Sequence, residues 1–346
     1  MAEETIAQHL ERERFSRRDF LRYCALLAAA AGMPGSARLV AQTLQSKTRL
    51  PVIWLEFQDC AGCSEALTRS RSPALTDLVL NKISIDYHET LFAAAGVQAE
   101  ENKSEMMKKY SGRYLLIVEG SIPVDGMHCA IGGRGADSIF LEAAAGAAAV
   151  IATGNCACFG GIPAAIPNPT GARGVRDMHS GKPLVNISGC PAIPEAFTGT
   201  LAHFLIFGSL PKLDELSRPK AFYGETIHDR CLRRPLHEAG KFARSFDDSG
   251  ARQGWCLYKL GCKGPTTYNA CASMKWDGGL SFPVQSGHPC LGCSQPGFWD
   301  GGGFYEGQSA PLERPGIGTV GKAVAVGAVV GAGMSLANRF RQKDKE

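Results

Sequence analysis

The stretch from Tyr223 to Cys293 constrains this chain more than any other. It reads His228-x2-Cys231, then Cys256-x5-Cys262, then Cys271, then Cys290-x2-Cys293, with Gly, Pro and aromatic residues between them. Continuous apolar runs are scarce here, so the segment cannot bury a large core of its own. Bound metal groups can supply the missing order. Cys60, Cys63, Cys156 and Cys190 lie upstream. Thiolates hold iron well, and an imidazole can replace one of them at the cost of a changed potential. These eleven residues are therefore read as ligands of three iron–sulfur clusters.

His228, Cys231, Cys256 and Cys262 are close in sequence and form one four-ligand set, suited to a 4Fe–4S cubane. Cys271, Cys290 and Cys293 leave three thiolates without a fourth, which suits a 3Fe–4S cluster. Pro283 lies where a fourth ligand could have stood, and proline cannot coordinate. Zinc remains an alternative, because Cys-x2-Cys with His-x2-Cys also describes zinc ribbons. The last set being a triad, and Cys290–Cys293 lying in Gly/Pro turns, weigh against it. Disulfides are a second alternative. Thirteen cysteines in 346 residues are too sparse for a disulfide scaffold, and an odd number leaves one unpaired.

Upstream the pattern changes. Short apolar runs at Pro51–Leu55, Lys82–Tyr87, Tyr114–Val118, Ala149–Thr153 and Leu184–Ser188 predict strands. A segment through Arg69, then Glu101–Tyr110, Asp137–Ala148 and Glu195–Phe207, predict helices, and residues 42–50 read as a polar linker. Strands alternating with helices predict an α/β fold with an open parallel sheet. Three strands run directly into cysteine turns: Cys60-Ala-Gly-Cys63, Gly154-Asn-Cys156 and Gly189-Cys190-Pro191. Ligands collect at the carboxyl ends of strands in such sheets. Cys60, Cys63, Cys156 and Cys190 should therefore converge and hold a second 4Fe–4S cluster. Cys158 competes with Cys156, which is favoured because it follows the strand and its glycine turn. Cys129 reads as a buried apolar-like cysteine. His88, His128, His179, His203, His237 and His288 lack ligand spacing and read as structural. Glu65 is either a hydrogen-bonding or proton-relay group beside the first cluster or a helix-start carboxylate.

The ends carry addresses. Ser16-Arg17-Arg18-Asp19-Phe20-Leu21, a mild apolar run Tyr23–Met33 and small residues Pro34–Ala37 predict a twin-arginine export signal over 1–41, cut around Ala37 to Ala41. That route carries folded proteins, which suits a chain loaded with clusters in the cytoplasm. Cys24 falls inside the signal and is set apart from the chemistry. Ile317–Asn338 is rich in Gly, Ala and Val, with Lys322 near its start and Arg339, Arg341, Lys343 and Lys345 after it. This predicts a transmembrane anchor over 316–338 and a basic cytoplasmic tail over 339–346, leaving the globular part on the outer face. A net charge of +4 arises mainly at the two ends, so the nearly neutral middle carries no footprint for nucleic acid.

At these motifs, including Cys60-Ala-Gly-Cys63-Ser-Glu65, Cys256-Leu-Tyr-Lys-Leu-Gly-Cys262-Lys-Gly-Pro265 and Gly287-His-Pro-Cys290-Leu-Gly-Cys293, the chain resembles the small subunit of membrane-bound nickel–iron hydrogenases. The resemblance spans nearly its whole length. It implies a flavodoxin-like domain over 42–215 carrying a proximal cluster (Cys60, Cys63, Cys156, Cys190). It implies an irregular domain over 216–315 carrying the medial 3Fe–4S cluster (Cys271, Cys290, Cys293) and the distal 4Fe–4S cluster (His228, Cys231, Cys256, Cys262). It also implies an obligate large-subunit partner holding the nickel–iron centre, with a dimer of heterodimers as a larger assembly. A cytochrome b or other quinone-reactive membrane subunit would receive the electrons on the periplasmic side. Oxygen-tolerant members of the family carry two further cysteines, where this chain has Gly62 and Gly161, so an ordinary proximal cluster and oxygen sensitivity are expected. Three rivals resemble parts of this pattern. A quinone-reductase-type subunit would lack the array from His228 to Cys293. A hydrogen sensor would need neither signal nor anchor. A zinc-binding structural protein would contain no sulfide.

Overall fold

The computed structural model describes residues 6, 16–30, 35–46, 49–71, 74, 83–124, 127–178, 180–301 and 305. The chain divides into two compact units. One comprises residues 1–48, 198–209 and 311–346, and the other 49–197 and 210–310.

In the first unit, helices Arg17–Ala30 and Ala37–Ser46 bury Cys24, Ala28, Val40 and Ala41 with Ile6, Ala202 and Ile206. The polar stretch expected as a linker over 42–50 is thus helical as far as Ser46. That helix starts at Ala37, and its residues Val40 and Ala41, ahead of the polar stretch, enter the core. Cys24 lies buried in this core. The expected anchor over 316–338, the tail over 339–346 and much of the expected signal lie outside the described residues. Among the described residues no helix is long and apolar enough to cross a membrane.

The second unit is built on a parallel sheet. Its strands are β1 (Leu50–Glu56), β2 (Ile83–His88), β3 (Leu115–Glu119), β6 (Ala149–Thr153) and β7 (Leu184–Ile187), and a small antiparallel ribbon, β4 (Ala130–Ile131) with β5 (Arg134–Gly135), lies between β3 and β6 in the chain. The order across the sheet is β2-β1-β3-β6-β7, with every pairing parallel. This is the doubly wound order of flavodoxin-like folds. Every residue of β3 and β6 is buried, which explains why these strands read as unbroken apolar runs. Ala136, Ile139, Phe140, Ala143 and Ala144, at helical spacing on helix Ala136–Gly146, pack with Leu116, Val118, Val150 and Ala152 in one core. Helix Gly96–Lys109 begins earlier than its polar residues suggest, and the residue before it, Ala95, is extended and makes no side-chain capping bond.

From Lys220 to Met274 the chain forms only short helical turns, the longest Arg234–Glu238. A small apolar cluster of Ile227, Ala243, Leu257, Leu260, Phe282 and Val284 orders this segment. Cys231, Cys262, Cys271 and Cys290 pack against its rim, so the thiols are part of what the segment folds around.

Candidate iron–sulfur cluster sites

The first site lies at the carboxyl edge of the sheet. β1, β3, β6 and β7 are successive neighbours, so the turns leaving them are adjacent in space. Cys60 and Cys63 follow β1, and Ala61 in the left-handed conformation turns the chain into helix Gly62–Thr68. Cys156 sits in the first turn of helix Gly154–Phe159, after β6. Cys190 follows β7, and the Asn155 N–H donates to Gly189 O at 2.6 Å, tying the β6 and β7 turns together. The Cys156 sulfur lies within electrostatic reach of those of Cys60, Cys63 and Cys190. Burial raises the Cys156 thiol, with Cys60 adding to it, and burial raises Cys63 strongly, with Glu119 and then Cys156 adding. Cys190 is pushed up to about 12, first by burial and then by Cys293, Cys156 and Cys60. Iron held by these residues would offset that penalty by taking each thiol as thiolate.

Two glycines make room for these sulfurs. Gly154 has φ 82°, and a Cβ there would run into Cys63 Sγ. Gly161, at φ 54°, would bring a Cβ within 2.6 Å of Cys156 Sγ. Gly62, the other position of interest, would place a Cβ 3.0 Å from Cys60 Sγ.

A buried carboxylate supports the site, and the local sequence pattern does not reveal it. Glu119, at the end of β3, accepts from Cys63 N at 2.9 Å, from Ser64 N at 3.1 Å and from Ser64 Oγ at 2.5 Å. Burial raises its pKa against these hydrogen bonds. Ser64 Oγ also lies 3.2 Å from Glu56 Oε1 and 3.3 Å from His88 Nε2. His88 is buried, packs on Trp54 with the rings tilted by 32° and is held toward neutrality by burial, as expected of a structural histidine. Glu65, by contrast, is exposed and pairs with Arg69 Nε at 2.8 Å, the helix-start alternative. The signal available for Glu119 is its position at a strand end between two cysteine-bearing neighbours. Cys158 is fully buried in the sheet core, its thiol 3.4 Å from Ala152 O. Cys129 is half-buried and packs against the same core.

The second site gathers His228, Cys231, Cys256 and Cys262, which together line one cavity with Ile227, Leu257, Pro265 and Val284. Cys256 is pushed up to about 11 by burial, then by Cys262 and Cys231. Burial lowers the His228 pKa, with His237 and Arg234 lowering it further, so the imidazole is neutral and free to coordinate. The His237 ring meets it edge-on at 4.9 Å. Arg233 is buried and donates to Val284 O at 3.0 Å and Trp255 O at 2.7 Å, while its N–H lies 3.4 Å from Cys231 Sγ.

The third site brings Cys271, Cys290 and Cys293 together. Burial raises Cys271 strongly, with Cys293 and Cys290 adding, and Cys290 is pushed up to about 12. Neighbouring ligand sets touch. The Cys290 N–H donates to Cys262 Sγ at 3.3 Å, and Cys190 and Cys293 lie within electrostatic reach of each other. Pro283 stands beside buried Phe282 and Val284.

All thirteen cysteines are free. Three groups of unpaired thiols, one with a neutral imidazole, suit iron–sulfur clusters. Fold and site together define an electron-transfer protein of the iron–sulfur class, built on a flavodoxin-like sheet. Residues 60–204 match the sequence model of the NADH ubiquinone oxidoreductase 20 Kd subunit, and residues 223–306 match the model for the C-terminal part of the NiFe/NiFeSe hydrogenase small subunit. The chain is 48% identical to the uptake hydrogenase small subunit of Azotobacter vinelandii, over 96% of this chain and 93% of that one. It is 46% identical to the hydrogenase-1 small chain of Escherichia coli, over 94% and 87% respectively. Among solved structures it resembles the NiFeSe hydrogenase of Desulfovibrio vulgaris Hildenborough, at TM-score 0.70 and 36% identity, covering 75% of this chain and 99% of that one. The chain belongs to the nickel–iron hydrogenase small-subunit family. It is the electron-transferring subunit of a hydrogenase, working through iron–sulfur clusters beside a large subunit. The match over 223–306 excludes the quinone-reductase-type rival.

Proposed function

We propose that this chain serves a periplasm-facing, hydrogen-oxidising uptake enzyme and carries two 4Fe–4S clusters and one 3Fe–4S cluster. The gathering of eleven candidate ligands into three sets carries this reading. Cys60, Cys63, Cys156 and Cys190 hold the proximal cluster. Cys271, Cys290 and Cys293 hold the medial one, and His228, Cys231, Cys256 and Cys262 the distal one. The clusters supply one-electron conduction from the large subunit's nickel–iron centre toward the membrane. The chain's own residues set ligand type, burial and hydrogen bonds to sulfur, the levers by which a protein tunes such groups.

By composition and motif, residues 42–215 are the proximal-cluster domain and 216–315 the medial and distal one. Residues 1–41 direct twin-arginine export, 316–338 anchor the chain, 339–346 stay cytoplasmic, and a cytochrome b or similar quinone-reactive subunit takes the electrons. Gly62 and Gly161 in place of cysteine support an ordinary cubane at the proximal site and oxygen sensitivity. The test is EPR of the purified heterodimer during a stepwise reductive titration. A near-isotropic signal in the oxidised sample that vanishes on mild reduction, followed by four-iron signals at lower potential, is expected. A silent sample containing zinc and no sulfide would overturn the assignment.

A further inference from the structure

The proximal and medial ligand sets meet at one side chain, Asn155. It is 1% exposed. Its Nδ2 donates to Cys293 O at 2.8 Å and to Gln295 O at 2.8 Å. Its own N–H holds Gly189 O, the residue before Cys190, and the next residue in the chain is Cys156. Asn155 therefore grips the backbone next to two proximal ligands and at one medial ligand.

We propose that Asn155 is the positioning residue that sets the electronic junction between the proximal and medial clusters. Its carboxamide clasps the Cys293–Gln295 backbone against the turns carrying Cys156 and Cys190. The junction it protects is the approach of the Cys190 turn to Cys293, two ligands that lie within electrostatic reach of each other. A carboxamide suits this place chemically. It donates two hydrogens from one nitrogen, whereas a hydroxyl donates one and a carboxylate none. Both acceptors are carbonyls, so the amide orientation is fixed, and Asn155 Oδ1 has no hydrogen-bond partner among the described residues. The side chain thus acts here through its donors alone. The neighbouring joint is reinforced separately, because Ser188 Oγ donates to Ser294 O at 2.9 Å and Arg218 Nη1 to the same oxygen at 3.2 Å. Loss of the clasp consequently loosens the junction without releasing the whole segment. With both clusters in place, one electron would pass across this junction from the reduced proximal cluster to the oxidised medial one, with no bond made or broken and no proton moved. The inference rests on the cluster assignment proposed above.

The test uses the heterodimer with Asn155→Leu, which is nearly isosteric, uncharged and donor-free, and Asn155→Ser, which keeps one donor. Two readouts are needed. Hydrogen–deuterium exchange protection over residues 293–296 is expected to fall roughly thirtyfold in Asn155→Leu, the factor for two neutral hydrogen bonds. Photoreduction followed by time-resolved optical detection should show slower proximal-to-medial transfer while iron content and both cluster potentials stay at wild-type values. Asn155→Ser should fall between wild type and Asn155→Leu in both readouts. If protection falls but the transfer rate at unchanged potentials does not, Asn155 is merely structural and the proposal fails. If Asn155→Leu cannot be loaded with iron, Asn155→Ser decides, and wild-type transfer in it refutes the clasp. An unmutated heterodimer lacking the three-iron signal refutes the cluster assignment itself, which iron and sulfide analysis of that sample distinguishes.

Discussion

Gly154→Ala is expected to empty the proximal site while sparing the other two. Two costs act at this position. The left-handed backbone, φ 82°, costs an L-residue about 1–2 kcal/mol. The new methyl also meets Cys63 Sγ, and overpacking of this kind costs about 1–3 kcal/mol unless the obstructing atom moves. The atom that can move is the thiol, and moving it removes one of four ligands. Gly112 supplies the control. Its φ is 74°, and a Cβ built there meets nothing within 4 Å, so Gly112→Ala carries the backbone cost alone. Both variants should lose similar backbone stability, and only Gly154→Ala should lose iron. The assay is iron and acid-labile sulfide per heterodimer, together with the EPR titration. Expected are a lost four-iron signal and a retained three-iron signal in Gly154→Ala, with full loading in Gly112→Ala. Equal iron content and unaltered spectra in the two variants would refute the reasoning that the glycine exists to admit the sulfur.

Cys271→Ser should abolish or disturb the three-iron signal and leave the four-iron signals largely intact, and an unchanged three-iron signal sinks that ligand assignment. Glu89 accepts from Glu56 N at 2.9 Å, and burial pushes its carboxyl up to about 8. The folded chain therefore keeps a proton that the unfolded chain releases near pH ~4.3, so stability is full below that value and declines as pH rises toward 8, by at most roughly 5 kcal/mol. Glu89→Gln should flatten this decline in the thermal midpoint of the heterodimer between about pH 5 and pH 8. Parallel pH dependence in both proteins contradicts the assignment of the decline to Glu89.

Much of the candidate site is legible in the sequence. Cysteine spacing and strand-end placement pick out the eleven candidate ligands, and the alternation of apolar runs with helical segments predicts the parallel sheet that the structure contains. The glycine turn favours Cys156 over Cys158, and burial supplies a physical reason for the same preference: Cys158 faces the sheet core, two residues on along the helix. Elsewhere local pattern misleads. The helix that runs on to Ser46 enters the polar stretch because its earlier residues Val40 and Ala41 have a core to enter, and composition alone does not announce a partner surface. Glu65 adjoins Cys63 in the chain, yet the carboxylate that touches the Cys63 backbone is Glu119, 56 positions away.

The sequence by itself determined which residue types are available to bind, the order of strands and helices, and the family, because ligand chemistry and side-chain period are local properties. Only the tertiary structure decided what those residues face. Register across β1, β3, β6 and β7 brings Glu119 under Cys63 and Asn155 onto Cys293, contacts that depend on distant segments packing together. Hydrogen bonds of that separation leave no periodic trace in the chain. They arise because buried donors and acceptors must find partners wherever the fold has put them.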